Sequence, residues 1–307
     1  VYPDNPNVSI TPSSTSYFSD PSSGLDPKLF EGKHLRSWVR NNILRLLFDH
    51  LAVMYQDPHK WVFAWLAGSG VSYQWESERF PGDLDCLVGI DYVVFRRYNS
   101  DYSGLSDDEI AHMFNEDFSK SLMPETANWE GYELTYYVNS QTNIIDINPY
   151  AAYDLIEDEW TVEPSETQNP PYSRMWEQRA TKDVELATDY VKRYHAAVEE
   201  YRNSVNSPAS LVNAERKLRM VIDQASEFYD DIHKSRKIAF SKTGAGYADF
   251  ANYRWQAGKK AGIVQALRQI KDYRDKSRGS SELETYGVEL PDANTLVRRA
   301  AVHRRGI

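Results

Sequence analysis

The chain has a single cysteine, Cys86, in 307 residues. That excludes an internal disulfide framework and favours a reducing compartment, so a cytoplasmic setting is expected. No apolar run approaches the length of a bilayer crossing, so no membrane is expected among its partners. No basic segment leads into an apolar stretch and small residues, so no secretory leader is expected. The seven histidines include no pair at metal-ligand spacing on one helix, which argues against zinc. Positive charge is short as well. A formal net charge of −10 argues against a protein that coats nucleic acid non-specifically.

Aromatic residues, by contrast, are plentiful. The 21 tyrosines and 8 tryptophans suit a folded chain with aromatic-rich packing rather than a disordered one. Charge is unevenly spread. Asp154 to Glu166 is acidic, whereas Arg254 to Arg278 carries Arg254, Lys259, Lys260, Arg268, Lys271, Arg274, Lys276 and Arg278 against Asp272 and Asp275. Such a run is first of all a set of solvated helix faces. A local phosphate-binding surface is the functional alternative.

The pattern along the chain divides it into four parts. Residues 1–27 are rich in Pro, Ser and Asp and read as a tail or a wrapping arm. In residues 28–150, Leu35, Val39, Ile43, Leu47 and Leu51 recur at helical spacing. Strands are expected at Trp61–Ala67, Leu84–Ile90, Tyr132–Val138 and Ile144–Ile147, the last two as a hairpin across residues 139–142. Ser106 and Glu109 have the spacing of a capping box. Residues 151–171 are acidic and contain prolines, so they read as a linker or long loop. Residues 172–307 show helical stripes throughout, with a third helix expected over Asp249–Tyr273 and a short one from Asp292. The fold class expected is α+β: an N-terminal mixed sheet with flanking helices, then an all-helical domain.

The candidate chemistry lies at one strand. Residues two apart on a strand share a face, so Asp83 and Asp85 point together while Leu84 and Cys86 face the other way. Two carboxylates on one face can share a proton or share divalent cations, which need several oxygen ligands. Asp146, flanked by Ile145 and Ile147, is a third acid in an apolar strand-like setting, and three converging carboxylates suit a two-metal site. Gly68-Ser69-Gly70, directly after the first strand, is a turn whose backbone N–H groups can approach phosphate oxygens closely.

Ala67-Gly68-Ser69, Asp83-Leu84-Asp85 and Ile145-Asp146-Ile147, in this order, resemble the motifs of the DNA polymerase β-like nucleotidyltransferase superfamily over roughly residues 33–150. The resemblance implies a palm-like nucleotidyltransferase domain and a metal-dependent transfer of NMP from an NTP to a hydroxyl, with release of pyrophosphate. It implies Mg2+ or Mn2+ held by Asp83, Asp85 and Asp146, and phosphates held by Gly68 and Ser69. By the same analogy a helical second half closes over the nucleotide. That makes Arg236, Lys237 and Lys242 candidate triphosphate contacts; from the residues alone, Lys242 can also reach phosphates and Tyr247 a base face. The acceptor expected first is an RNA or tRNA 3′ end, which suits the basic stretches; a protein hydroxyl or a small molecule, which suits the acidic total, is the alternative. Two other functions are alternatives. Asp83-Leu84-Asp85 alone fits the Asp-x-Asp motif of a metal-dependent glycosyltransferase but leaves Asp146 and Gly68-Ser69 unexplained, and a non-catalytic nucleotide- or partner-binding module would keep the fold although the intact acid triad argues against it.

Overall fold

A computed structural model describes residues 7–139, 143–165 and 173–286, with side chains as far as Ser277. These residues form two compact units, one of residues 7–17 and 173–286 and one of residues 18–165. The protein is α+β, with a mixed five-stranded sheet in the second of these units.

In chain order the sheet unit contains a small hairpin of β1 (Phe30–Glu31) and β2 (His34–Leu35), then α1 (Ser37–Ala52), β3 (Val62–Ala67) and β4 (Gly82–Ile90). After these come α2 (Tyr92–Tyr98), α3 (Asp107–Asp117), α4 (Met123–Thr126), β5 (Tyr132–Val138), β6 (Ala152–Asp154) and β7 (Glu159–Val162). The order across the sheet is β5-β4-β3-β6-β7, with β4 and β5 parallel and every other pair antiparallel. Val62, Ala64 and Leu66 of β3 share one face with Leu84, Cys86 and Val88 of β4 and Leu134, Tyr136 and Val138 of β5, and all are buried. Against that face α1 buries Val39, Ile43, Leu47 and Leu51, the spacing of one helical stripe. A cluster of Tyr55, Trp61, Phe95, Phe114 and Phe118 extends the same core. Each fully buried side chain of this size contributes roughly 1.5–3 kcal/mol relative to exposure. The Ser106–Glu109 capping box opens α3 as the sequence predicts, with both reciprocal hydrogen bonds made.

Two expectations for this unit are corrected. Ile144–Ile147 is not a strand but a single 3-10 turn. The Asn143 side chain accepts from the Ile145 N–H at 3.2 Å, and Asn148 closes the turn in the left-handed region at φ 44°. A side chain bonding its own neighbours in this way competes with strand pairing. There is accordingly no hairpin between β5 and this segment; β5 pairs with β4, and residues 140–142 lie outside the described residues. The stretch read as a linker, 151–171, supplies β6 and β7 to the sheet instead. Its aromatics anchor it: Tyr153 meets Trp160 edge-on at 5.0 Å, and Trp160 stacks on Phe30 at 5.5 Å. Its acids make the turn between the strands, where Asp154 accepts from the N–H groups of Ile156 and Glu157. Residues 166–172 lie outside the described residues.

The helical unit consists of α5 (Arg174–Asn203), α6 (Pro208–Ala239), α7 (Phe250–Ala261) and α8 (Ile263–Tyr286). Ala187, Val191, Tyr194 and Val198 of α5 pack on Leu218, Val221, Ala225 and Ile232 of α6 and on Val264, Leu267 and Ile270 of α8. The single helix expected over 249–273 is two helices, broken at Gly262 (φ 81°), where an added Cβ would stand 2.2 Å from the carbonyl oxygen of Thr11. That contact comes from the N-terminal segment, whose described residues 7–17 pack as an arm on this unit. Val8 is buried in its core, Thr15 donates to Gln256 at 2.7 Å, and Tyr17 packs on Tyr247. The short helix expected from Asp292 lies outside the described residues.

Candidate active site

The face of the sheet opposite the main core carries the candidate chemistry. Side chains alternate along β4, so Asp83 and Asp85 emerge on this face, both half-buried. The β3–β4 register sets Ala67 across from Asp85, and the parallel β4–β5 register sets Glu133 beside Asp83 and Thr135 beside Asp85. Thr135 Oγ1 donates to Asp85 Oδ1 at 2.8 Å, and Arg79 Nη1 donates to Asp83 Oδ2 at 3.1 Å. A hydroxyl and a guanidinium thus answer two like charges on neighbouring positions.

The Gly68-Ser69-Gly70 turn follows β3 and lies against this pair. Gly68 has φ 90°, and a Cβ there would stand 3.1 Å from Asp85 Oδ2. At Gly70 a Cβ would stand 2.3 Å from the Asp83 carbonyl oxygen, so no side chain fits without moving the strand. The Gly68 N–H donates to the Ala151 carbonyl at 3.2 Å, so it is committed within the sheet unit rather than presented to a phosphate. Ser69 starts a 3-10 turn, and its carbonyl accepts from both the N–H and the hydroxyl of Ser72. Residues 72–81 connect this turn to β4 without a helix.

Asp146 sits on the Ile144–Ile147 turn. Ile144 is buried against Trp65, Ala67 and Ala152, and Leu87 and Ile147 pack on that cluster, so the turn covers the same sheet face that carries Asp83 and Asp85. Among the described residues no group of three or more His, Cys, Asp and Glu side chains is gathered as a metal site. Asp83, Asp85 and Asp146 therefore share a face without forming a closed triad of ligands. The donors remain of the right class for Mg2+ or Mn2+. Two carboxylates are enough for such an ion when water and substrate phosphate complete its shell.

Glu133 and Thr135 escape a reading of the sequence alone, whereas Arg79 reads there as a surface arginine that could approach a triphosphate, and the structure sets it on Asp83. Glu133 lies between apolar residues in Tyr132-Glu133-Leu134, the same local signal that singles out Asp146, but only the β4–β5 pairing sets it beside Asp83. Cys86 faces the main core, where burial pushes its thiol up and neighbouring Asp85 adds to the effect, so it packs and does not react.

The phosphate candidates Arg236, Lys237 and Lys242 belong to the helical unit. Arg236 lies over the rings of Trp255 and Phe240, at 5.1 and 5.5 Å, and Lys237 and Lys242 are exposed. The turn holding Lys242 caps α6: Ser241 N–H donates to Ile238 O, and a Cβ on Gly244 would stand 2.0 Å from Ala239 O. Tyr247 packs on Tyr17 at 4.8 Å. Four cations of the 254–278 run are ion-paired in place, Arg254 to Asp183 and Asp231, Arg268 to Asp272, Lys271 to Asp230 and Asp275, and Arg274 to Asp275. No family model, curated protein or solved structure matches the chain.

Proposed function

We propose that this protein is a metal-dependent nucleotidyltransferase, moving an NMP from an NTP to a hydroxyl with release of pyrophosphate. The observation that supports it most is the β3–β4 pairing, which sets the Gly68-Ser69-Gly70 turn against the paired carboxylates Asp83 and Asp85 on the face of the sheet away from the main core. Asp83 and Asp85 would hold Mg2+ or Mn2+, which supplies charge neutralisation at the phosphates when bound.

The chain's own residues position the groups around it. Thr135 donates to one oxygen of Asp85 and fixes the orientation of that carboxylate. Gly70 lets the turn pack on the Asp83 backbone, and Ser69 borders the pair from that turn. Asp146, on the turn that packs over this face, is the third acid of the proposal. Catalysis of this kind is mainly positioning and charge complementarity.

An RNA end as acceptor rests on the basic C-terminal stretch. Because Arg254, Arg268, Lys271 and Arg274 are engaged by neighbouring carboxylates, a protein or small-molecule hydroxyl is the acceptor favoured here. The test is transfer of label from each α-labelled NTP, with Mg2+ or Mn2+ and a cell extract, followed by identification of the labelled species. Asp83→Asn and Asp85→Asn are each expected to lower transfer by about 10²–10³-fold, the scale for removing one group that stabilises transition-state charge. Undiminished transfer by both would sink the proposal.

A further inference from the structure

We propose that Arg79 is a ligand for the triphosphate that, until substrate arrives, occupies the place of the cation at Asp83. This inference rests on the nucleotidyl transfer proposed above and assigns a residue to it. Three observations carry it.

The Arg79–Asp83 contact is an end-on bond. One nitrogen, Nη1, meets one oxygen, Oδ2, at 3.1 Å, and no second bond from the guanidinium to a side chain is made among the described residues. A guanidinium has five N–H donors in a planar fork suited to phosphate oxygens, so most of that capacity stays available. Both side chains are 32% exposed, so the pair lies at the surface of the site and can exchange partners without opening the core. Finally, Arg79 comes from the connection between the Gly68-Ser69-Gly70 turn and β4, so it belongs to the segment that joins the two parts of the site.

The electrostatics then has a definite sign. A divalent ion on Asp83 shares that carboxylate with the Arg79 guanidinium, and two cations on one carboxylate repel each other. For a cation alone, Arg79 is a competitor. A cation that arrives with a triphosphate brings up to four negative charges, and the displaced guanidinium gains a better partner than the one it lost. For the cation–triphosphate pair, Arg79 is a ligand. One residue should therefore weaken binding of the first probe and strengthen binding of the second.

Calorimetric titration of the full chain with Mn2+ alone, and with preformed Mn2+–tripolyphosphate, reads both signs without relying on activity or on the identity of the base. Arg79→Gln is expected to bind Mn2+ about two- to fivefold more tightly, the scale of an exposed ion pair. The same variant is expected to bind Mn2+–tripolyphosphate about tenfold more weakly, the scale of a lost charge-assisted hydrogen bond. Arg79→Lys should fall between, because an ammonium keeps the charge but not the fork. Its melting curve, beside that of Arg79→Gln, checks that both variants fold. If Arg79→Gln moves neither affinity, or moves both the same way, the role of Arg79 is wrong. That holds even where Asp83→Asn abolishes Mn2+ binding, a result that leaves the nucleotidyltransferase reading standing. If Mn2+ binding depends on neither Asp83 nor Asp85, that reading fails and the role of Arg79 fails with it.

Discussion

Two glycine turns in this protein look alike on paper and differ in what they touch. Gly68-Ser69-Gly70 ends a strand and lies against two carboxylates that point away from the core. Ser241–Gly246 ends the long helix α6, and its Gly244 packs on the carbonyl of Ala239. In both, glycine is required by close approach to a backbone oxygen. Only the first lies against carboxylates of a sheet face; the second sits in a unit where Arg254, Arg268, Lys271 and Arg274 are paired with neighbouring carboxylates. A glycine turn with a nearby lysine is therefore weak evidence of a phosphate site unless the third dimension brings a charge to it.

The contrast can be broken by substitution. The largest effect is expected from alanine at the two glycines. Gly244→Ala sets a Cβ 2.0 Å from Ala239 O and Gly70→Ala sets one 2.3 Å from Asp83 O. Each should destabilise its unit by about 1–3 kcal/mol or more, as overpacking does, measured by urea unfolding. Only Gly70→Ala should also weaken Mn2+ binding, because only there does the displaced backbone carry a candidate ligand. Equal loss of Mn2+ affinity in both variants would erase the distinction.

A smaller effect is expected from the ion pairs inside the helical unit. Arg254 holds Asp183 with two nitrogens, at 2.7 and 3.1 Å, its side chain being 14% exposed. Arg254→Met should cost about 1.5–3 kcal/mol, the range for hydrogen bonds to charged groups, again by urea unfolding. Asp183→Asn in the same background should then cost little further, since the two act as one unit.

The smallest effect is a pH dependence near the second turn. Burial, helped by Lys237 and Arg236, pushes the His233 imidazole below its ordinary 6.5. The unfolded chain then binds the proton more readily than the folded one, so stability is full above about 6.5 and declines as pH falls through 6.5 toward the folded value. The melting temperature of the wild type should fall between pH 8 and pH 5.5 by more than that of His233→Gln. Identical curves would remove His233 from the account.

Much of this molecule is written locally. The capping box at Ser106, the α1 stripe and the period-two alternation of β4 depend on residues within a few positions of one another, so the sequence alone determines that Asp83 and Asp85 share a face. Asp146 reads as a strand residue because isoleucines surround it; the Asn143 side chain, which bonds the backbone of the next residues, makes a turn there instead. The acidic stretch after Pro149 reads as a linker because its charges outnumber its aromatics, yet Tyr153 and Trp160 are enough to anchor two strands.

What no local pattern contains is pairing between distant segments. That Glu133 lies beside Asp83, that Thr135 bonds Asp85 and that residues 7–17 close the helical unit all follow from registers and packing set by residues tens to hundreds of positions apart. The sequence determined which residues can carry charge on one side of a strand. The tertiary structure decided which charges meet, because a strand's neighbours are chosen by the burial of its opposite face, and that choice is made by the whole core at once.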